Sequence, residues 1–268
     1  MNKRIISGVL RKIQLLYLFD HVFFFLEKRR NSSRNKQFLH ENSTVKLPPD
    51  YLMYESFQLD YHKYFEESKE SARWVANHFE KYNSLDNRVV LDWGCGPGRI
   101  IRHLPTNFGE GCSFYGTDYN AESILWCKEN LPGISFNKNP LQATLPYQNN
   151  FFDFIYGISI FTHLSEQMHY DWHEELMRVL KPGGILMLTT QGDNFKEKLS
   201  PEEKSLFESG KLVIRGNVKE GHRTYSAFQP AKFMRSLFAN DEVLAHEIRP
   251  VVSERALPQD VWMVKKIV

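Results

Sequence analysis

Cysteine is scarce: Cys95, Cys112 and Cys127 are the only three in 268 residues. They are odd in number and scattered, and no CxxC pair occurs. This excludes a disulfide scaffold or a zinc ribbon and points to a reduced compartment, the cytoplasm. No apolar run reaches the roughly 18 to 20 residues that a spanning helix needs. Leu15 to Phe19 and Val22 to Leu26 are strongly apolar, but Asp20-His21 parts them. No small-residue cleavage site follows, so no signal peptide is expected. A dominant charge is missing as well: the formal net charge of +2 gives no argument for nucleic acid or an acidic substrate as the main partner. Internal repeats and low-complexity tracts are absent. What remains is an ordinary globular composition, 42% apolar and 25% charged, long enough for one α/β domain with additions.

The charge is unevenly spread. Residues 1–46 carry ten Lys and Arg against three acidic residues, a balance of +7 that leaves −5 for the rest. Ile6, Val9, Leu10, Ile13, Leu16 and Tyr17 have the spacing of an amphipathic helix. A basic segment of this kind over residues 1–30 either lies on an anionic membrane surface or packs on the main domain. Residues 31–43 are polar and read as a linker. The division is therefore an extension over 1–46, dispensable for ligand binding, and a domain over 47–268. Residues 50–85 read as largely helical, with an aromatic set that suits either a core or a sugar-stacking surface.

The central feature is Val89-Val90-Leu91-Asp92-Trp93-Gly94-Cys95-Gly96-Pro97-Gly98-Arg99. An apolar strand without alternation, as in a central parallel strand, ends in a glycine turn and is expected to feed a helix. Glycines allow a sharp turn and close approach to a ligand, and a helix N-terminus favours negative charge. A dinucleotide G-x-G-x-x-G would need glycine at 99, where Arg99 stands. The spacing G-x-G-x-G with Asp92 two residues earlier resembles motif I of class I S-adenosylmethionine (SAM) methyltransferases. That resemblance implies SAM as cofactor, with Asp92 helping to hold its amino-acid end and Gly94, Cys95, Gly96 and Gly98 carrying the turn.

Downstream segments agree. Cys112 to Asp118 reads as a second strand ending in a carboxylate, which suits two ribose hydroxyls. Tyr119 could lie against adenine or pack in the core. Ala121 to Leu131 has helical spacing and stops at Pro132-Gly133. Asn139, after the short strand Ile134–Phe136, is either a contact to the adenine edge or a plain turn residue. Phe152 to Ile160 reads as a fourth strand, which puts Ser159 at the cofactor. Leu180-Lys181-Pro182-Gly183-Gly184 reads as a helix end and turn before a fifth strand. Leu145-Pro146-Tyr147 and the Leu-Lys-Pro-Gly-Gly turn resemble the same family, and the matches span about residues 70–195. The implied fold is an α/β, Rossmann-like seven-stranded sheet of order 3-2-1-4-5-7-6. Its last strand is antiparallel, helices cover both faces, and a helical extension precedes it. Gly192 to Asn217 reads as a mobile excursion. Phe228 to Phe238 reads as a helix, and Val243–Ile248 and Val261–Ile267 as the closing strands.

Trp126-Cys127, Ser159 to Leu164, Gln259-Asp260-Val261-Trp262 and Leu47-Pro48-Pro49 resemble a bacterial subgroup associated with glycan or surface-polysaccharide assembly. A small-molecule or glycan acceptor follows from that resemblance, and O-methylation of it needs a general base. His163, after the fourth strand, is the leading candidate, or else it caps or packs the next helix. His222 and Tyr225 rank behind it. His169 and His173 are four apart, but Tyr170 stands where a zinc-hydrolase helix needs glutamate, so they read as a solvated helix face and no metal is expected. The alternatives are transfer to RNA or protein, and a SAM-binding regulator without catalysis. No oligomeric state is implied.

Overall fold

The protein is described by a computed structural model over residues 16–252 and 256–268. The apolar stripe from Ile6 to Ile13 lies outside the described residues. Seven strands form the main sheet: β1 (Val89–Trp93), β2 (Ser113–Asp118), β3 (Ile134–Lys138), β4 (Phe152–Gly157), β5 (Leu180–Thr190), β8 (Glu242–Glu247) and β9 (Asp260–Lys265). Their order is β3-β2-β1-β4-β5-β9-β8. The first five run parallel, and β9 inserts antiparallel between β5 and β8. Counted within this sheet alone, that is the expected 3-2-1-4-5-7-6. A small hairpin of β6 (Val213–Arg215) and β7 (Ser226–Phe228) stands apart.

Strand alternation builds two cores. Leu91, Ile155, Leu186, Leu188 and Trp262 point to one face, where they meet Trp172 and Leu176 of helix α5 (Glu166–Val179) and Met234 of α7 (Ala231–Leu237). Val90, Phe154, Tyr156, Ile185, Met187 and Met263 point to the other. There they meet Val75 and Phe79 of α3 (Tyr61–Glu80) and Ile124 and Cys127 of α4 (Ala121–Asn130). Both faces are covered, so the central strands read as continuous apolar runs. Asn120 caps α4 by accepting from Glu122 and Ser123, and Ser165 caps α5 by accepting from Met168.

Four expectations need correction. The segment 31–43 is no linker: α1 runs from Leu16 to Glu41. Its polar residues mislead because they face inward. Asn31 and Asn35 are buried and donate to Leu59 O, and the Asn35 side chain accepts from Tyr61 N. The glycine turn does not feed an α-helix. A 3-10 helix, Ile101–Thr106, follows it, with Pro105 inside, where a proline would break an α-helical ladder. The region 192–217 is ordered: α6 (Pro201–Glu208) starts on a Ser200–Glu203 capping box, and Phe195, Leu199, Phe207, Val213 and Phe228 form a satellite core. Leu180 already belongs to β5, directly after α5. The Pro-Gly-Gly residues form an irregularity within that strand, with Gly183 at φ +78°.

Candidate cofactor and acceptor site

The carboxyl ends of β1, β2 and β4 meet at a cavity of about 530 Å³. Ligands in open α/β sheets sit at this edge. The glycine turn is tied to β2 by backbone: Gly94 N and Cys95 N both donate to Thr117 O, at 2.8 and 2.9 Å. Gly96 N donates to Asp118 Oδ2 at 2.8 Å, and Asn120 N donates to Oδ1 at 2.7 Å. Tyr64 of α3 clamps the turn from behind by donating to Pro97 O at 3.1 Å. Gly94 has φ +77°, and a Cβ there would run into the Ile160 side chain. Only glycine meets both conditions.

Asp92, Gly94, Cys95, Gly96, Asp118, Tyr119, Ser159 and His163 all line this cavity. Gly98 does not: a Cβ there would meet Leu131 and Cys127, so this glycine serves the packing of the turn on α4. Asn139 lines a smaller, adjoining cavity of about 60 Å³ with Trp93, Tyr119, Leu141, Ile160 and His163. Its Nδ2 donates to Pro140 O, while its Oδ1 is buried without a protein partner. An unsatisfied buried acceptor in an apolar slot suits an exocyclic amine such as that of adenine.

Burial dominates the electrostatics. It pushes the Asp92 carboxyl up to about 7, against the opposing pull of Tyr156 and the Arg99 guanidinium. Burial also raises Asp118, against the backbone N–H groups of Asn120, Gly96 and Tyr119. An ammonium arriving at Asp92 would restore its charged form, as expected of a carboxylate that holds an amino acid. Ser159 is held at φ +66°, a strained conformation for serine. Its N–H donates to Thr189 Oγ1, and its Oγ accepts from Gln259 Nε2 at 2.8 Å.

The His163 Nδ1 lies 2.8 Å from Tyr225 O. A carbonyl can only accept, so Nδ1 carries the proton and Nε2 is the basic nitrogen. Burial lowers the pKa of His163, with His222 and Arg223 adding to the effect and the Tyr225 bond opposing it. His222 shares the cavity; Tyr225 does not, and contributes its carbonyl. The solvated-face reading of His169 and His173 fails. His169 is fully buried, and His173 pairs with Asp241 at 2.8 Å.

The family resemblance implies a helical cover over the cofactor within residues 50–85, but it does not single out the residues that form it. Helix α2 (Asp50–Ser56) brings Leu52, Glu55 and Ser56 over the cleft, followed by Phe57. Ser56 Cβ would stand 3.2 Å from a Cβ at Gly96, so the roof rests on the turn. Burial raises the Glu55 carboxyl, whose Oε1 is 3.9 Å from His222 Nε2. Arg223 donates to Tyr54 O of the same helix. Gln259 had a signal, the Gln-Asp-Val-Trp stretch, which was not assigned to the site. Glu55 had none.

Residues 90–184 match the family model of a methyltransferase domain. A tRNA (carboxymethyluridine(34)-5-O)-methyltransferase of Arabidopsis thaliana is 33% identical over 44% of this chain and 28% of its own length. A malonyl-[acyl-carrier protein] O-methyltransferase of Enterobacter lignolyticus is 27% identical over 43% of this chain and 50% of its own. The chain thus spans half or less of these curated relatives. A SAM-dependent methyltransferase of Methanosarcina mazei superposes with a TM-score of 0.56 at 19% identity, covering 71% of this chain and 97% of that one. One from Mesorhizobium loti gives 0.53 at 14% identity, over 73% and 98%. The fold is that of the class I SAM-dependent methyltransferases. The glycine turn, the strand-end Asp118 and the open acceptor on Asn139 have the chemistry that a nucleoside cofactor such as SAM requires.

Proposed function

We propose that the chain is a SAM-dependent methyltransferase that methylates an oxygen of a small molecule or glycan. One observation carries this reading: His163, neutral near pH 7 and basic at Nε2, lines both the cofactor cleft and its side slot. Bound SAM supplies a methyl group on a good leaving group, so the protein must align the acceptor and take up a proton. Asp92 and Ser159 hold the amino-acid end, Asp118 the ribose, and Asn139 the base edge. His163 Nε2 accepts the hydroxyl proton, and Tyr225 O keeps the ring in the required tautomer. Glu55, Ser56 and Phe57 close the roof and exclude water. The free thiols at Cys95, Cys112 and Cys127 suit a cytoplasmic reaction.

A surface-glycan acceptor rests on the stretches Ser159–Leu164 and Gln259–Trp262. Both now meet in one place, because Gln259 donates to Ser159. A second reading, transfer to RNA, has the 33% identity to a tRNA methyltransferase in its favour. The balance of −5 beyond residue 46 stands against it, since a polyanion needs a basic surface. Incubation with labelled SAM and fractionated surface glycans, lipids and RNA separates the two. Label in a glycan or small-molecule fraction, lost with His163→Ala, is the expected result. Label confined to RNA would overturn the acceptor assignment.

A further inference from the structure

Helix α1 carries polar groups on its buried side and apolar groups on its exposed side. Its inward side presents Asp20, Phe24, Asn31, Asn35 and Phe38 to α2, α3 and the chain between them. Its outward side starts with Val22, Phe23, Phe25 and Leu26, exposed by 48, 57, 64 and 56%. It continues with Arg29, Arg30 and Lys36, all exposed. At about 3.6 residues per turn the two sets fall on opposite sides of one helix. The flanking cations are engaged: Lys28 pairs with Asp50 at 2.8 Å and Arg34 with Asp60 at 3.4 Å. Arg29, Arg30 and Lys36 make no ion pair among the described residues. The sequence before the helix adds Lys3, Arg4, Arg11 and Lys12 and no acidic residue. Among the described residues no helix is long and apolar enough to cross a membrane.

We propose that this outward face of α1 docks the protein on an anionic phospholipid surface. Phe23, Phe25, Val22 and Leu26 enter the headgroup boundary, and Arg29, Arg30 and Lys36 meet lipid phosphates. A few exposed apolar side chains beside unpaired cations fit a surface that is apolar below and negative above. A second copy fits less well, because pairing through this face would gather Arg29, Arg30 and Lys36 from both chains against Glu41 as the one exposed carboxylate of the helix. Docking would hold the cleft close to the bilayer. Asp20, on the inward side, accepts from Tyr54 Oη at 2.9 Å, and the next two residues, Glu55 and Ser56, line the cavity. The inference stands apart from the choice of acceptor and uses a readout independent of catalysis.

The test is sedimentation of the full chain with phosphatidylcholine vesicles, alone or mixed with phosphatidylglycerol. The protein is expected to pellet with the mixed vesicles, to release as salt rises, and to leave pure phosphatidylcholine unbound. Arg29→Gln with Arg30→Gln should weaken binding roughly 30-fold, at about 1 kcal/mol per charge. Phe23→Ser with Phe25→Ser should weaken it at every salt concentration. Both pairs are exposed, so thermal unfolding and SAM affinity should match the wild type, which separates lost docking from lost folding. Failure to pellet, equal binding to neutral vesicles, or self-association abolished by Phe23→Ser and Phe25→Ser without vesicle binding would each overturn the proposal.

Discussion

The backbone N–H of Gly96 donates to Asp118 Oδ2 at 2.8 Å and so ties the turn after β1 to the carboxylate that ends β2. Asp118 thus shapes the turn, and in the proposed function its remaining lone pairs receive the ribose hydroxyls. Asp118→Ala is expected to weaken SAM binding by about 1.5 to 3 kcal/mol, the range of hydrogen bonds to a charged group. The dissociation constant, measured on a variant that retains its circular dichroism, checks this. Unchanged affinity would remove Asp118 from the ribose site.

His163→Ala should lower kcat by about 10²-fold while leaving SAM affinity near the wild-type value. The pH profile carries the sign. Burial depresses the pKa of His163, and a base acts in its deprotonated form. Activity should therefore fall with acidification only below the ordinary histidine value of about 6.5. An acid limb at or above that value, absent from the His163→Ala profile, would contradict the burial argument. Its persistence in that variant would point to another group.

Gln229 Nε2 donates to both His169 Nε2, at 3.2 Å, and Phe161 O, at 2.9 Å. This arrangement needs a neutral His169, whose pKa burial lowers to about 4. The unfolded chain takes up this proton near pH 6.5 and the folded chain near 4, so stability is lost as pH falls through that window. The full difference is about 3 kcal/mol. Denaturant unfolding at pH 7 and pH 5 should show a smaller acid loss in His169→Gln, which cannot titrate, than in the wild type. Equal losses would mean that other groups carry the acid sensitivity.

Removal of residues 1–46 should destabilise the domain, contrary to the expectation from composition. It would strip Tyr54, the Leu59 carbonyl and the Tyr61 N–H of partners on α1. Two or three unsatisfied groups at about 1 kcal/mol or more each correspond to a melting temperature lower by about 5 to 10 °C. The α2 roof should loosen and SAM affinity fall with it. A shortened protein with wild-type melting and affinity would show that α1 is an appendage.

The strands were legible because a parallel sheet covered on both faces writes itself as apolar runs such as Val89–Leu91 and Phe154–Tyr156. The turn was legible because Gly94 needs a left-handed backbone with no room for a Cβ. Helix α1 was hidden because its inward residues, Asn31 and Asn35, are polar and serve the chain between α2 and α3, which hydrophobic periodicity does not register. The 3-10 helix at Ile101–Thr106 was hidden by the strength of the glycine signal, although Pro105 stood in plain view. Glu55 lacked any local pattern. It reaches the cleft only because Ser56 rests on Gly96, a contact between residues 40 positions apart.

The most direct test is a calorimetric titration of the purified protein with SAM and, separately, with NAD. In the proposed function the cleft takes a nucleoside bearing an amino acid, with Asp92 assigned to the ammonium, Asp118 to the ribose and Asn139 to the base. Saturable binding of SAM, weakened by Asp118→Ala, with no heat from NAD is the predicted result. Binding of NAD without SAM would contradict the account at its centre.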